Sequence, residues 1–198
     1  MTRRTMGLML RRLVALSVAA LGAAACSGTH AVSQDVGGSL GYGTGDQATT
    51  WISPAHRNVV TGVSGKLLDG SSFDLAQWRG HVVVVNFWGS WCPPCTGEVP
   101  TLEQVHRDTA ADGVEFLGVD IKEGPAQAES FNRSHHVTYP SLSDQSNLLA
   151  LRFHGMPPNA TPTTIVLDRS GRIAARHSGA ILYTQLRDLV HRAVQENG

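Results

Sequence analysis

The stretch Trp91-Cys92-Pro93-Pro94-Cys95 constrains this 198-residue chain more than any other. It follows the apolar run Val82-Val83-Val84-Val85-Asn86-Phe87-Trp88, whose lack of alternation marks a strand buried on both faces. After it, Val99, Leu102, Val105 and His106 recur at helical spacing. Two thiols on the first turn of a helix close a disulfide without rearranging the backbone. The first sulfur then faces the unpaired N–H groups and positive dipole end of that helix, which favour a thiolate. Thiolate is the attacking species in disulfide exchange, so strand, Cys-x-x-Cys and helix together predict a redox dithiol.

Other uses of such a pair fit less well. A structural zinc site takes four ligands, usually from two such pairs, and the sequence has no second pair. Covalent haem attachment needs His directly after the second Cys, where Thr96 stands. A purely structural disulfide closing so short a loop would constrain little of the unfolded chain. No metal and no cofactor is expected.

Formal charge is zero, with 16 Lys and Arg against 16 Asp and Glu, but the distribution is uneven. The first 25 residues hold Arg3, Arg4, Arg11 and Arg12 and no acid, so the remainder carries 12 basic and 16 acidic residues, a charge of −4. That balance gives no electrostatic argument for binding nucleic acid or anionic lipid. The arginines precede an apolar stretch, Leu13 to Ala25, too short to span a bilayer comfortably. This is the pattern of an export signal over residues 1–25.

The signal ends in Leu21-Gly22-Ala23-Ala24-Ala25-Cys26-Ser27-Gly28, which resembles a bacterial lipobox, except that Ala23 occupies a position more often Leu. The resemblance implies that Cys26 is lipidated and becomes the new N-terminus, which leaves Cys92 and Cys95 as a pair. Simple cleavage at Ala-x-Ala, leaving a free thiol, is the alternative. Arg3-Arg4 weakly resembles a twin-arginine signal, and the export route stays open. Residues 26–50, rich in Gly, Ser, Thr, Gln and Asp, read as a flexible tether, and a folded domain is expected over 51–198.

Within that domain, Val59 to Leu68 and Ser72 to Leu75 predict a β-hairpin turning at Asp69-Gly70. Leu75 to Gly80 reads as a short helical turn. The helix after the cysteines runs to about Ala111 and stops near Gly113, with Pro100 expected to kink or locally break it. Val114 to Asp120 is a second strand, Pro125 to His135 a helix, and Gln145 to Phe153 a further helix capped by Asp144. Thr161 to Asp168, a strand opened by Pro162, and Arg172 to Ser178 form strands around an Asp168-Arg169-Ser170-Gly171 turn, and Leu182 to Val194 closes the chain as an amphipathic helix. This order predicts an α/β fold with a mixed central sheet. His135-His136 is not a metal pair, because adjacent helical residues point apart; a solvated face or a helix C-terminal cap accounts for it.

The chain resembles the thioredoxin fold, and more closely its membrane-tethered extracytoplasmic branch, the TlpA-like, ResA-like and DsbE-like proteins. The resemblance covers about residues 55–196. It rests on Asn86 to Cys95 as a string, on Glu98-Val99-Pro100, on the inserted helix between the two halves of the sheet, and on Thr161-Pro162-Thr163. It implies a mixed sheet flanked by helices with an N-terminal β-hairpin. It also implies a cis bond at Pro162 beside the cysteines, with Thr161 and Pro162 binding an extended substrate peptide.

In this reading Cys92 is the nucleophile and exposed sulfur, and Cys95, more buried, resolves the mixed disulfide. Pro93 and Pro94 pre-organise the turn and remove two N–H donors from the Cys92 thiolate. No His lies between the cysteines, where strongly oxidising relatives carry one. Both features favour a reductant. Glu98, three residues after Cys95, is a candidate for proton transfer with Cys95, the alternative being a solvated helix-start carboxylate. Glu123 matches a second acidic position of the family. Trp91 is expected to shape the substrate surface.

The expected function is a lipid-anchored thiol–disulfide oxidoreductase on the extracytoplasmic face of a bacterial cell membrane, reducing protein disulfides. The family suggests apocytochrome c as a substrate and requires a membrane thiol electron donor. A disulfide-forming oxidase for exported proteins is the main alternative, and a secreted rather than anchored protein the alternative location. A peroxidase is disfavoured by the absence of a Pro-x-x-x-Thr-x-x segment before the first Cys, and a copper carrier by the narrow Cys spacing. Oligomeric state is not legible.

Overall fold

The computed structural model describes residues 49–156 and 160–196. The Cys26 lipidation site, the residues 1–25 signal and nearly all of the 26–50 tether lie outside the described residues.

The organising element is the strand β4, Val82–Trp88, every residue of which is buried. Its neighbours are β5, Val114–Ile121, in parallel and β7, Thr163–Leu167, in antiparallel. With β1 (Thr49–Trp51), β6 (Ser141–Asp144) and β8 (Ile173–Ser178), these form a six-stranded mixed sheet in the order β1-β8-β7-β4-β5-β6. Alternate residues of β4 enter different cores, as the period-2 geometry of a strand requires. Val83, Val85 and Phe87 pack with Leu117, Ile165 and Phe153 on one face. Val82 and Val84 pack on the other against Leu102 and Val105 of helix α1 (Pro93–Thr109) and Leu186 and Val190 of helix α3 (Tyr183–Gln195). Helix α2, Pro125–His135, follows β5 and begins with proline at its first turn, where a missing N–H costs nothing.

The predicted mixed α/β architecture is present, and four local expectations need correction. Thr49 and Thr50 are not tether: they pair with His177 and Arg176 at the sheet edge. The hairpin is shorter than predicted, with β2 (Ser64–Lys66) paired only to β3 (Ser72–Asp74) in a separate two-stranded sheet. Upstream, Val60 and Val63 are buried in the core instead of pairing in the hairpin. Its turn does fall at Asp69-Gly70, with Gly70 at φ +84°.

The third correction concerns Ser141–Asp144, which is a strand, followed by only a short 3₁₀ turn at Leu149–Arg152 in place of the expected helix Gln145–Phe153. Asn147 takes φ +54°, a left-handed conformation that stops a helix before it starts and that Asn tolerates best after Gly. Asp144 still caps, accepting the N–H groups of Leu148 at 3.0 Å and Leu149 at 2.7 Å. Finally, α1 is continuous through Pro100 and is not broken there. It gives way to a 3₁₀ turn at Ala110–Asp112, and Gly113 at φ +69° ends it as expected.

Candidate active site

The cysteines sit where β4 hands over to α1. Cys92 is the N-cap, in extended conformation, and Pro93 and Pro94 occupy the first helical positions. Their fixed φ suits a helix start. Cys92 and Cys95 are joined, with an S–S distance of 2.09 Å and Cα atoms 5.3 Å apart. The Cys95 N–H donates to the Cys92 sulfur at 3.3 Å, and the two prolines supply no comparable donor. The expectation of an exposed Cys92 sulfur is not met: Cys92 is 4% exposed and Cys95 1%. The disulfide turns the Cys92 sulfur inward, into an apolar cluster with Leu68, Trp88, Val99, Ala128 and Phe131. Helix α2 therefore roofs the pair, with the Phe131 ring 4.9 Å from that of Trp88. A cavity of about 10 Å³, the size of one water, lies against Cys95 between Asn86, Asn132 and Tyr139.

Glu98 is one helical turn beyond Cys95, so both project from the same side of α1. It is not the solvated carboxylate that spacing alone allowed, being 2% exposed. Asn86 of β4 donates its side-chain amide to Oε1 at 2.8 Å, and the Ile181 N–H donates to Oε2 at 3.1 Å. The same Asn86 amide also donates to Thr164 Oγ1 at 3.2 Å. Burial pushes the Glu98 carboxyl up to about 7, against the downward pull of these two bonds. Among the described residues no cation is hydrogen-bonded to it, and the group changes charge near neutrality inside the fold.

Trp91 is 48% exposed, unusual for so large a ring, and is held by its indole N–H donating to the Ile121 carbonyl at 3.1 Å. A Cβ on Gly89 would stand 2.5 Å from that nitrogen, so only glycine leaves the ring its place. Ser90 donates both its N–H and its hydroxyl to the Glu123 carboxylate. The turn carrying Cys92 is thus pinned to the end of β5 and the loop after it. The Thr161–Pro162 bond is cis. Thr163 pairs with Phe87, so Thr161 and Pro162 stand at the same end of the sheet as the cysteines.

His135 stacks on Phe131 at 4.2 Å, and His136 is the C-cap of α2 at φ +57°. Sequence reasoning assigned no role to Asn86, Ser90, Asp120 or the Ile181 N–H. Asn86 and Asp120 carried a signal, as polar residues near the ends of strands that are mostly apolar. The Ile181 amide carried none, since any residue supplies it.

The sequence profile of the AhpC/TSA family matches residues 57–176, more than half of the chain. The chain is 33% identical over 106 residues to thiol-disulfide oxidoreductase ResA of Geobacillus thermodenitrificans, covering 54% of this chain and 59% of that protein. It is 32% identical over 114 residues to ResA of Halalkalibacterium halodurans, covering 58% and 63%. The chain thus spans less than two thirds of these relatives' length. Among solved structures, a DsbF homologue from Corynebacterium diphtheriae superposes with TM-score 0.71 at 29% identity, covering 79% of this chain and 99% of the other. A secreted thiol-disulfide isomerase from Corynebacterium glutamicum gives TM-score 0.72 at 29% identity, covering 81% and 100%. The family match, over residues 57–176, includes the strand–cysteine–helix turn. The fold is that of thioredoxin, and the chain belongs to the AhpC/TSA family.

Proposed function

We propose that the protein is a thiol–disulfide oxidoreductase that reduces disulfides of other proteins outside the cytoplasm. The observation that carries this reading is the Cys92–Cys95 disulfide at the start of α1, with an ionisable Glu98 buried one turn beyond it. The name carried by the ResA relatives supports the same reaction class.

The dithiol form starts the cycle. The Cys92 thiolate attacks a substrate disulfide, forming a Cys92–substrate bond and expelling one substrate thiolate, which takes a proton. Cys95 then loses its proton, for which Glu98 is the candidate acceptor, and attacks the Cys92 sulfur. The second substrate thiol leaves, and Cys92–Cys95 is oxidised by the two electrons the substrate gained. A second dithiol protein must return those electrons. Trp91 and the segment Thr161-Pro162 line the end of the sheet where the substrate chain would lie.

The donors around Cys92 support the reducing direction. A thiolate stabilised by several N–H groups makes the reduced form stable and the pair oxidising. Pro93 and Pro94 withhold two such donors, leaving the Cys95 N–H at 3.3 Å. The export signal and Cys26 add the location: anchored by lipid to the outer side of a bacterial cell membrane, with a membrane thiol donor. Apocytochrome c, whose haem-binding cysteines must be reduced, is the substrate class that the family resemblance suggests.

The second reading is disulfide formation or isomerisation in exported proteins. It draws on the C. glutamicum structure, described as a secreted thiol-disulfide isomerase. The reduction potential of Cys92–Cys95, equilibrated in a thiol buffer, separates the two. Proteins of this chemistry span about −270 mV to about −120 mV. A reductant lies near the first value. A potential near the second would overturn the reductant reading and leave oxidation standing.

A further inference from the structure

Asp120 is the one acid of β5 that is fully buried, at its C-terminal end beside the active-site turn. Neither carboxyl oxygen has an N–H or hydroxyl donor among the described residues. What it meets is the side chain of Glu123, three residues on. Two carboxylates cannot bond to each other; a carboxylic acid and a carboxylate can, through one proton. Glu123 already accepts two hydrogens, from the Ser90 N–H and the Ser90 hydroxyl. It is therefore the acceptor in the pair, and the proton belongs on Asp120.

We propose that Asp120 is a positioning residue: as a neutral acid it donates to Glu123, which holds Ser90, which fixes the turn bearing Trp91 and Cys92. The chain of bonds runs from a buried strand end to the residue two places before the nucleophile. Its members are arranged so that one fixed negative charge, on Glu123, organises three donors. A second charge on Asp120 would set two anions against each other inside the protein and loosen Ser90.

The surroundings agree. From β4, Asp120 faces Trp88, which is uncharged, and from β6 it faces Ser143. The charged groups near it are Glu123, Asp144 at the end of β6, and Lys122 on its own turn, whose N–H donates to the Asp144 carbonyl. The two neighbouring acids both oppose ionisation, and burial opposes it more; together they push the Asp120 carboxyl up to about 9. The reading of Cys92 as nucleophile matters only for the consequence of this arrangement. The shared proton stands or falls independently of which way electrons flow.

The test uses the oxidised protein, in which the cysteines do not titrate. Carbon NMR of labelled aspartate carboxyls should show one group with a midpoint near 9. That signal disappears in Asp120→Asn, and its midpoint falls in Glu123→Gln. If every aspartate titrates in the ordinary carboxylate range, the shared proton does not exist and the proposal fails. The second measurement is the rate at which a trialkylphosphine reduces Cys92–Cys95 as pH is raised. The parent should show a step at the Asp120 midpoint, and Asp120→Asn, whose amide still donates to Glu123, should lack it. Asp120→Ala, with no donor, should change the neutral-pH rate by about tenfold, the equivalent of one lost hydrogen bond, and Asn should recover most of it. A phosphine profile identical in parent and Asp120→Asn would overturn the positioning role even with the proton in place. Should Asp120→Asn fail to fold, the Glu123→Gln midpoint decides the first question, and loss of the alkaline step in that variant decides the second. Neither readout depends on the reduction potential that tests the proposed function.

Discussion

The two ends of the central sheet both bury acids, and they treat them in opposite ways. Beyond the N-terminal end of β4, Asp168 is surrounded by compensation. It accepts from Arg57 at 3.1 Å, Arg172 at 3.0 Å, and the N–H groups of Ser170 and Arg172. Arg57 in turn pairs with Glu196 and lies over the Trp51 ring. At the C-terminal end, Glu98 and Asp120 are equally buried and have no cation among their partners. A satisfied buried ion network fastens chain segments: here the N-terminal segment, the β7–β8 turn and the last residues of α3. An uncompensated buried acid lowers stability at high pH, and persists where a proton must be held or moved. The comparison assigns fastening to one end and proton handling to the other.

The largest test of this division removes the chemistry itself. Cys92→Ala should abolish reduction of a protein disulfide, to the background rate. Cys95→Ser should stall after the first attack and accumulate a mixed disulfide on Cys92, visible by mass spectrometry. Both variants should unfold in urea near the midpoint of the reduced parent. If Cys95→Ser turned over freely, the order of the two cysteines would be wrong.

Next comes the fastening end. Asp168→Ala leaves buried Arg57 with Glu196 as its one acid partner among the described residues and orphans two backbone N–H groups. Breaking a buried ionic network in this way costs about 3–5 kcal/mol, read as a fall in urea midpoint. The exchange rate of the folded fraction should stay within about twofold, a change of under 0.5 kcal/mol. A large rate loss without a stability loss would erase the distinction between the ends.

Glu98 tests the same contrast by pH. Its folded carboxyl titrates at about 7, against an ordinary value of 4.5. Between those values the native state holds a proton that the unfolded state has released. Stability is therefore greatest below 4.5 and falls as pH rises through 7, by about 3 kcal/mol from this group. Glu98→Gln should flatten that slope, with Asn86 flipping its amide to accept from the new side chain. The same variant should slow resolution of the mixed disulfide by about a hundredfold, as loss of a general base does. A slope unchanged in Glu98→Gln would show that folding does not raise the Glu98 carboxyl and would remove it from the contrast.

Much of this was readable before any coordinates. Fully buried β4, the cysteine turn, α2 and α3 are set by patterns that neighbours reinforce: a seven-residue run apolar but for Asn86, a Cys-Pro-Pro-Cys helix start, a proline N1 and an amphipathic period. Ser141–Asp144 was not readable, because its residues have little strand preference and it is a strand through pairing with β5 and through Leu142 meeting Leu67. The helix expected after Asp144 failed at a single residue, Asn147, whose left-handed backbone the periodicity of its neighbours does not report. At the site, the sulfur pair is legible from spacing, whereas spacing leaves Glu98 open between a solvated helix-start carboxylate and a buried acid, and only the family resemblance favours the second. The charge state of Glu98 is not legible, since it depends on Asn86, twelve residues earlier, and on an amide at position 181. Burial of Cys92 was misread because the helix start suggests an open sulfur, and the disulfide folds it into the Trp88–Phe131 cluster.

The smallest expected effect concerns Asp144, which belongs to both themes. It caps the 3₁₀ turn through Leu148 and Leu149 and adds a negative charge near Asp120. Asp144→Asn keeps only one of the two capping oxygens and deletes the charge, so stability should fall by about 1 kcal/mol, the worth of one lost hydrogen bond. The Asp120 titration should nonetheless move down, because one of the charges opposing its ionisation is gone. The movement should be smaller than that in Glu123→Gln, whose side chain both touches Asp120 and repels its charge. Carbon NMR on the two variants gives this order directly. If Asp144→Asn moved the midpoint more than Glu123→Gln, the proton would be held by the acid-rich end as a whole. The Asp120–Glu123 contact would then not be its seat, and the two ends would differ in summed field instead of in one specific pair.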